Sequence, residues 1–574
     1  MIRRTIIGLA AIVIMIFVGK TGYAATSKDN PYSIELNSNY TDHVTRWDDV
    51  HYYQFVLPAP GAIRLTISND YDNAYEAQWL MTILDEADHV ILKRLHLGKT
   101  TEESTPHIGL PAGIYLLRIA PGGSSYSTTN YTIVMEYTQS ETWEIESNDH
   151  LDISNPIALN TEYSGSVLRY DDHDYYNFTL PAPGSVSLDF SHEFVDNRAA
   201  LWDIELTNKE GKRYYFGWFQ GNDSSVNTTN NIGLPEGTYY IHVSAVSASN
   251  EDSSDYKLKV NYTQTEFYEK EFNDNMVSVN PIELNTEYTG SMIADNDKDY
   301  YKFTLQEPGF VRIIFFHEYV DSNSDLWKLS VMDDEEKEYF SSSYKGNALK
   351  TIESSGIGLP KGSYYLKISS RDFSPAEYLF SVNFTASDAW ETEFNDNPHD
   401  ANEIIPGQKI NGALARRSQE KDKDCYRIEI PTDASLGLTL GHAYIDRASP
   451  EWKIAVKDDE GNELESFRFT KNEEKEEQST QLLPAGTYYV LISAGNDDAL
   501  LDYQLTLNLG DSSSAASGEA ENSEWECPVC GQKNNTNFCV GCGAKKPEAQ
   551  VCPVCGASVE PNFAFCGSCG AKLK

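Results

Sequence analysis

Residues 234–243 read Leu-Pro-Glu-Gly-Thr-Tyr-Tyr-Ile-His-Val, and the Leu-Pro-x-Gly-x-Tyr part of this stretch occurs four times in the chain. The four copies are Leu110–Tyr115, Leu234–Tyr239, Leu359–Tyr364 and Leu483–Tyr488. Their glycines are 124, 125 and 124 residues apart. Pro and Gly mark a turn, and the aromatic and β-branched residues that follow favour a strand. A repeat with this fixed period predicts four copies of one β-rich unit.

Two further patterns recur with the same period. An acidic and aromatic run opens a strand in each copy, at residues 48–55, 171–178, 297–303 and 422–428. In the second copy, Tyr176-Asn-Phe178-Thr-Leu180 alternates apolar and polar residues, as a half-buried strand does. A tryptophan that we expect in the core also recurs, as Trp79, Trp202, Trp327 and Trp452.

These patterns predict an all-β body of four tandem antiparallel β-sandwich or jelly-roll domains. The four units, called modules one to four below, span residues 26–140, 141–264, 265–388 and 389–510. A chain of 574 residues has room for several domains, and 40% apolar residues allow each domain to bury a core.

The charge of the chain restricts its partners. It carries 87 acidic and 45 basic residues, a formal net charge of −42. Such a polyanion is repelled by phosphate backbones, so we expect no nucleic acid at the β domains. Acidic side chains suit solubility and hard cations such as calcium.

The N-terminus has the pattern of an export signal. Arg3 and Arg4 precede an apolar and small-residue stretch at 5–19, and Gly22 and Ala24 have the spacing that a signal peptidase accepts. We predict a signal peptide at 1–24 and a secreted or cell-surface protein. The alternative is an uncleaved N-terminal membrane anchor, which would be the protein's one contact with a membrane.

The modules resemble the bacterial pre-peptidase C-terminal domain, whose relatives include the collagen-binding domains of secreted bacterial collagenases. The resemblance rests on a Glu-x-Asn-Asp opening, an Asp-x-Asp-Tyr-Tyr-x-Phe strand and the Leu-Pro-x-Gly-x-Tyr-Tyr strand, and it covers about 480 residues. It implies a sandwich fold. It implies little about function, because the family flanks many kinds of protein.

Modules two to four open with Glu-x-Glu-x-Asn-Asp, which presents oxygen ligands. In an extended segment the first three of these side chains lie on one side. Calcium takes six to eight oxygens, so they form a partial shell that the acidic strand start would complete. The resemblance implies that these two segments jointly hold calcium. The candidate ligands are Glu144, Glu146, Asn148, Asp149, Asp171 and Asp174 in module two, Glu269, Glu271, Asn273, Asp274 and Asp299 in module three, and Glu391, Glu393, Asn395, Asp396 and Asp424 in module four.

An alternative to calcium is an Asx-type turn with solvated acids between the domains. Asn296 in module three and Lys421 in module four occupy the position of Asp171. Because neither residue is a carboxylate, the prediction of calcium is weaker for those two modules. Module one lacks the opening motif and has His51 in place of the aspartate, so we expect no site there.

The C-terminal region has a different chemistry. Residues 511–526 form a flexible linker rich in Ser, Ala, Gly and Glu, and residues 527–574 contain eight of the nine cysteines in Cys-x-x-Cys-Gly pairs. Two such pairs make one tetrahedral zinc site. The segment resembles the double zinc ribbon family through its Phe-Cys-x-x-Cys-Gly-Ala-Lys endings at 538–545 and 565–572. The predicted ligands are Cys527, Cys530, Cys539 and Cys542 for the first structural zinc, and Cys552, Cys555, Cys566 and Cys569 for the second.

Four disulfides are the alternative, because an exported chain meets oxidising conditions. The Gly after each pair favours the metal knuckle. The ninth cysteine, Cys425, stands where other copies have Tyr, and we expect a small core residue there.

The leading function hypothesis is an exported, non-enzymatic binding or scaffold protein whose modules contact an extracellular polymer or protein. One alternative is a sandwich-fold hydrolase that uses acids such as Asp174 and Glu146, or an accessory subunit of a peptidase. Another is a zinc-ribbon regulatory protein retained at the membrane.

Overall fold

Strands make up almost all regular structure of the computed structural model, so the all-β prediction is confirmed. The one helical element among the described residues is a 3-10 turn at Leu151–Ile153. The structure describes residues 20–21, 26–71, 77–122, 127–168, 171–196, 199–246, 255–294, 297–347, 351–371, 377–418, 421–443, 450–470, 474–494, 502–510, 525–526, 533–534, 550–551 and 558–559.

The first two pairs of sheets contain 21 strands. The first pair consists of β1 (Lys20–Thr21), β2 (Tyr32–Ser33), β3 (Asn39–Asp42), β4 (His51–Leu57), β5 (Gly61–Asn69), β6 (Ala77–Leu84), β7 (Val90–Leu97), β8 (Glu102–Ser104), β9 (Ile108–Leu110), β10 (Gly113–Pro121) and β11 (Tyr131–Gln139). The second pair consists of β12 (Asn155–Pro156), β13 (Glu162–Ser166), β14 (His173–Leu180), β15 (Gly184–His192), β16 (Ala200–Asn208), β17 (Arg213–Gln220), β18 (Asn227–Thr228), β19 (Ile232–Leu234), β20 (Gly237–Ala245) and β21 (Asp255–Gln264).

The next two pairs repeat this series. The third consists of β22 (Asn280–Pro281), β23 (Glu287–Ser291), β24 (Lys298–Leu305), β25 (Gly309–His317), β26 (Asp325–Met332), β27 (Glu338–Lys345), β28 (Ile352–Glu353), β29 (Ile357–Leu359), β30 (Gly362–Ser370) and β31 (Glu377–Ala386). The fourth consists of β32 (Asn402–Glu403), β33 (Lys409–Ala413), β34 (Lys423–Ile430), β35 (Ala434–His442), β36 (Pro450–Lys457), β37 (Glu463–Thr470), β38 (Lys475–Leu483), β39 (Gly486–Ala494) and β40 (Asp502–Gly510).

Strand order in module two illustrates the common arrangement. One sheet has the order β12-β14-β20-β16-β17, and the other has β13-β21-β15-β18 with β19 also paired to β15. The two-residue β12 is parallel to β14, and the other pairings in these sheets are antiparallel. The chain therefore crosses repeatedly between two sheets, as in a β-sandwich. The other three modules have the corresponding strand order.

Each module buries the residues that alternation along its strands predicts. In β14, Asp174, Tyr176, Phe178 and Leu180 are at most 1% exposed, while the residues between them are not buried. The four recurrent tryptophans are also at most 1% exposed. Cys425 in β34 is fully buried, and burial raises the pKa of its thiol to about 12, which suits a core residue.

Consecutive modules meet through a repeated backbone junction. The Ile-Gly-Leu strand of one module (β9, β19 or β29) accepts a hydrogen bond from the second Glu of the next module's opening segment. The three bonds run from Glu146 N to Gly109 O at 2.9 Å, from Glu271 N to Gly233 O at 2.9 Å and from Glu393 N to Gly358 O at 3.1 Å. A Cβ on these glycines would lie within 2.0 Å of a backbone oxygen, so the close approach requires glycine. The candidate metal segments are therefore also junction segments.

The chain forms two compact units, residues 1–429 with 438–478 and 486–507, and residues 430–437 with 479–485 and 508–574. In the second unit, β41 (Trp525–Glu526) pairs with β42 (Lys533–Asn534), and β43 (Gln550–Val551) pairs with β44 (Ser558–Val559). Among the described residues there is no helix with the length and apolarity to cross a membrane. The predicted signal peptide lies outside the described residues except for β1.

Candidate metal centres

The opening segment of module two points alternate side chains into the protein interior. Glu144 is 1% exposed and Asn148 is fully buried. The Glu144 carboxylate accepts hydrogen bonds from the Ser166 backbone N at 2.5 Å and from the Tyr176 Oη at 2.8 Å. These bonds hold one carboxylate of the predicted site in place.

Two aspartates around the start of β14 meet this segment. Asp174 is fully buried, and its Oδ2 accepts a hydrogen bond from the Tyr256 Oη at 2.6 Å. Asp172 is 4% exposed, and its Oδ2 accepts a hydrogen bond from the Leu168 N at 2.5 Å. One oxygen each of Glu144, Glu146 and Asp174 lies within 4.8 Å of the others. Folding thus brings the two predicted segments together.

At the strand start Asp171 is exposed, whereas its neighbour Asp172 is buried, so Asp172 is the better candidate ligand. Side chains two apart in an extended chain share a face, so Asp172 accompanies Asp174. Asn296 and Lys421 are the counterparts of Asp171, and one residue further on Asp297 and Asp422 hold the buried position of Asp172. Strand alternation alone would have found all three.

Module three repeats the arrangement. One oxygen each of Glu269, Glu271 and Asp299 lies within 4.8 Å of the others. The Glu269 carboxylate accepts hydrogen bonds from the Ser291 N at 2.5 Å and the Tyr301 Oη at 2.8 Å. The Tyr378 Oη donates to Asp299. Sequence reasoning treated these tyrosines as core residues and missed their role in positioning the carboxylates.

Several buried polar atoms in modules two and three lack a hydrogen-bond partner. An unpaired buried polar atom is costly, and a hard cation would satisfy the carboxylate and amide oxygens among these atoms, though not the amide nitrogens. The residues therefore fit calcium. The atoms are Glu146 Oε1, Asn148 Oδ1 and Nδ2, Asp174 Oδ1, Glu271 Oε1 and Oε2, Asn273 Oδ1 and Nδ2, and Asp299 Oδ1.

The electrostatics also favour a positive charge at these centres. Burial, reinforced by Asp172, raises the pKa of Glu144 to about 8, and burial raises the pKa of Glu269 to about 7. Burial and neighbouring carboxylates raise the pKa of Asp174 and Asp299 well above their usual range. Carboxylates crowded in a low-dielectric interior cannot all ionise without a compensating cation.

The last residue of each motif lies at the edge of its cluster. Asp149 and Asp396 are half-buried and Asp274 is exposed. Asp274 interacts with Asp297. Asn273 and Asn395 are fully buried, like Asn148. The aspartates therefore border the sites, and the asparagines lie inside them.

Module four has the same acids and an additional arginine. Glu391, Glu393, Asn395 and Asp424 are at most 5% exposed, and one oxygen each of Glu393, Asp422 and Asp424 lies within 4.8 Å of the others. Arg417 forms ion pairs with three of the carboxylates there. No motif in the sequence marks Arg417 as part of a site.

In module one, His51 occupies the position that Asp174 has in module two. His51 is 4% exposed, and its Nδ1 lies 2.5 Å from the Tyr131 Oη. Its Nε2 lies 3.5 Å from Asp49 Oδ1. Among the described residues of this module, no three metal-binding side chains place one ligand atom each within 4.8 Å of the others.

The eight C-terminal cysteines lie outside the described residues. In the sequence, β41 and β42 flank the Cys527–Cys530 pair, and β43 and β44 flank the Cys552–Cys555 pair. A family model for the zinc-ribbon domain matches residues 551–573, which include the four predicted ligands of the second site. This match supports zinc binding in the C-terminal segment.

Comparison with solved structures returns β-rich proteins of low similarity. The pre-peptidase C-terminal domain of a Bacillus anthracis collagenase is 22% identical over 19% of this chain and 94% of that chain, with a TM-score of 0.16. Tandem CBM51 modules of a Streptococcus pneumoniae family 98 glycoside hydrolase are 11% identical over 63% and 88%, with a TM-score of 0.14. The CUB1-EGF-CUB2 region of human MASP-1/3 is 11% identical over 39% and 98%, with a TM-score of 0.14. Values this low carry no argument about function.

Proposed function

We propose that the protein is an exported, non-enzymatic binding or scaffold protein whose modules two and three are stabilised by calcium. The observation that carries the proposal is the burial of the carboxylate clusters. Glu144 and Asp174 are at most 1% exposed, and so are Tyr176 and Tyr256, which hold them. A site closed in this way suits an ion that stabilises the fold.

A hydrolase is the competing reading, because a raised carboxyl pKa is what a general acid needs. A general acid must also reach its substrate, at a hydrogen-bond distance of about 3 Å or through one water. The innermost carboxylates of modules two and three, Glu144, Asp174, Glu269 and Asp299, are at most 2% exposed, and the same arrangement occurs in both modules. Repetition of this kind is expected of structural elements, so we favour the binding function.

The outer face of module two offers a contact surface. Phe216 and Trp218 on β17 are 38% and 65% exposed, and their rings meet edge to face with centroids 4.9 Å apart. Trp218 borders a cleft of about 370 Å³ whose other lining residues include Gln220, Asp223 and Asn227. A flat aromatic ring beside amide groups and a carboxylate that can accept hydrogen bonds suits a hydroxyl-rich polymer such as a polysaccharide. In the sheet register, Ser341 and Ser343 take the positions of Phe216 and Trp218 in module three.

We assign the C-terminal ribbons a structural role, as an adaptor at the end of the chain. Four thiolates around each ion leave no open position for catalysis. The export proposal rests on the N-terminal sequence. Fractionation and N-terminal sequencing test it, and they should find a chain that begins at Ala25 outside the cytosol. Uncleaved chain in the soluble cytosol would exclude export.

A calcium titration of the full-length protein, followed by thermal melting, tests the metal proposal. Calcium that binds the native state raises the melting temperature. We expect Glu146→Gln and Asp174→Asn each to reduce this rise, and Asp171→Asn, a neighbouring exposed acid, to leave it unchanged. An equal response in all four proteins would refute the assignment of the module-two site.

A further inference from the structure

The loop before the second acidic segment is longer in module four than in its counterparts. In module three the Ile293 N donates a hydrogen bond to Asp297, four residues on, and in module two Leu168 donates to Asp172 in the same way. In module four the donor is the Ala415 N and the acceptor is Asp422, seven residues on. The three additional residues bring Arg417 into the loop.

The Arg417 side chain lies inside the carboxylate cluster, with 6% of it exposed. Its Nη2 lies 2.6 Å from Glu393 Oε2 and 2.6 Å from Asp422 Oδ1. Its Nη1 lies 2.8 Å from Asp396 Oδ2. The guanidinium carbon also lies 4.5 Å from the centroid of the Phe394 ring. An arginine fork with this many partners is held in a single position.

We propose that Arg417 is the resident cation of module four and takes the place that calcium fills in module three, so module four binds no calcium. The inference builds on the calcium function proposed above. It limits that function to modules whose carboxylates lack an internal positive charge, and it removes the candidate ligands of module four from the calcium set.

The atoms that remain support this assignment. Glu393 Oε1, Asn395 Oδ1 and Asp424 Oδ1 are the buried oxygens of the module-four cluster that have no partner among the described residues. The corresponding three oxygens of module two are also unpaired, so their number alone does not exclude calcium, but a guanidinium beside them would repel it. In module three, by contrast, both carboxylate oxygens of Glu271 lack a partner.

The cavities beside modules three and four also support the replacement of calcium by Arg417. A cavity of about 420 Å³ beside module three is lined by Phe272, Asp274 and Asp297 among others. The corresponding cavity beside module four, of about 520 Å³, is lined by Phe394, Asp396 and Arg417 among others. Arg417 thus borders the module-four cavity, whereas Asp297, the counterpart of Asp422, borders the module-three cavity, and the Arg417 Nη2 lies 2.6 Å from Asp422 Oδ1.

Calcium stoichiometry of the full-length protein, measured by equilibrium dialysis, tests the proposal. In a background of Glu146→Gln and Glu271→Gln, which disables modules two and three, we expect no bound calcium. Adding Arg417→Ala should create one site, and adding Arg417→Lys instead should create none. Arg417→Met is a second variant, because it keeps the length of the side chain without its charge.

The outcomes separate this inference from the calcium function itself. Wild-type protein that binds no calcium, together with an Arg417→Ala variant that does, would reject calcium in modules two and three and uphold the role of Arg417. Calcium retained in the Glu146→Gln and Glu271→Gln background would show that module four is a site despite Arg417. Folded Arg417→Ala and Arg417→Met variants without calcium would also overturn the proposal.

Discussion

At the scale of single residues, the candidate centres depend on which neighbour of a pair points inward. Asp172 and Asp171 are adjacent in the sequence, but Asp172 is buried and Asp171 is exposed. The buried tyrosines Tyr176 and Tyr256 then hold the carboxylates through their hydroxyl groups. A tyrosine ring can therefore be part of an apolar core and still supply a polar contact at its tip.

His242 is a residue whose protonation should affect stability. Its ring stacks on Tyr175 at 4.4 Å, and its Nε2 lies 3.0 Å from the His173 Nδ1. The pKa of His242 is lowered from 6.5 to about 4, mainly by burial and secondly by the charge of the nearby His173. Asp203 on β16 opposes the shift. Glu205 is its partner in the register of β16.

This shift predicts a loss of stability in acid. Because the folded state holds His242 neutral, its contribution is complete above pH 6.5 and declines as the pH falls toward 4. At pH 5 the loss should be about 2 kcal/mol. We expect the decrease in melting temperature between pH 7 and pH 5 to be smaller in His242→Gln than in wild type. Equal decreases in the two proteins would contradict this account.

At the scale of strands, the junctions couple one module to the next through backbone contacts. The prediction concerns Gly233 on β19. An alanine Cβ there would lie 1.8 Å from the Glu269 O and 2.7 Å from the Tyr268 Cδ1. We expect Gly233→Ala to separate the junction and to lower the stability by about 1–3 kcal/mol, a typical cost of overpacking. Thermal melting and limited proteolysis near residue 265 measure the effect.

Gly486→Ala is the matched control, because the nearest atom to its Cβ would be the Tyr488 Cε2 at 3.8 Å. This variant should melt like the wild type and resist the protease. If Gly233→Ala behaves in the same way, the junction tolerates a side chain and does not require the close backbone contact at Gly233.

A second prediction at the scale of strands concerns polysaccharide binding by the exposed face of β17. We expect Trp218→Ala to weaken co-sedimentation with an insoluble polysaccharide at least tenfold, since the indole offers the largest exposed apolar surface there. Leu95→Ala is the control. Leu95 is 48% exposed and holds the equivalent position on β7 of module one. Equal losses in both variants, or binding to fibrillar collagen alone, would reject a polysaccharide surface at Trp218.

At the scale of the whole molecule, we expect zinc to stabilise only the C-terminal segment and calcium only the β-sandwich modules. A zinc chelator should release two zinc ions and expose eight reactive thiols, while Cys425 stays protected by its complete burial. Thiol titration with a colorimetric zinc assay measures both quantities. The melting of the β-sandwich modules should not change. A chain that releases no zinc and gains thiols only after reduction would contain disulfides instead.

The sequence by itself determined the all-β class, the four-fold repeat and the segments that carry the candidate ligands. These features are local, because the period of a strand and the spacing of a motif are read along one stretch of chain. It also predicted a zinc ribbon, since paired cysteines with fixed spacing specify their own geometry.

Tertiary structure decided which side chains of those segments meet. The partners of Glu144 lie on β13, β14 and β21, and the glycine that touches its backbone belongs to the preceding module. The position of Arg417 among three carboxylates likewise depends on a loop and on two other segments. Contacts of this kind arise from the packing of distant segments, and strand alternation and motif spacing along one stretch do not specify them.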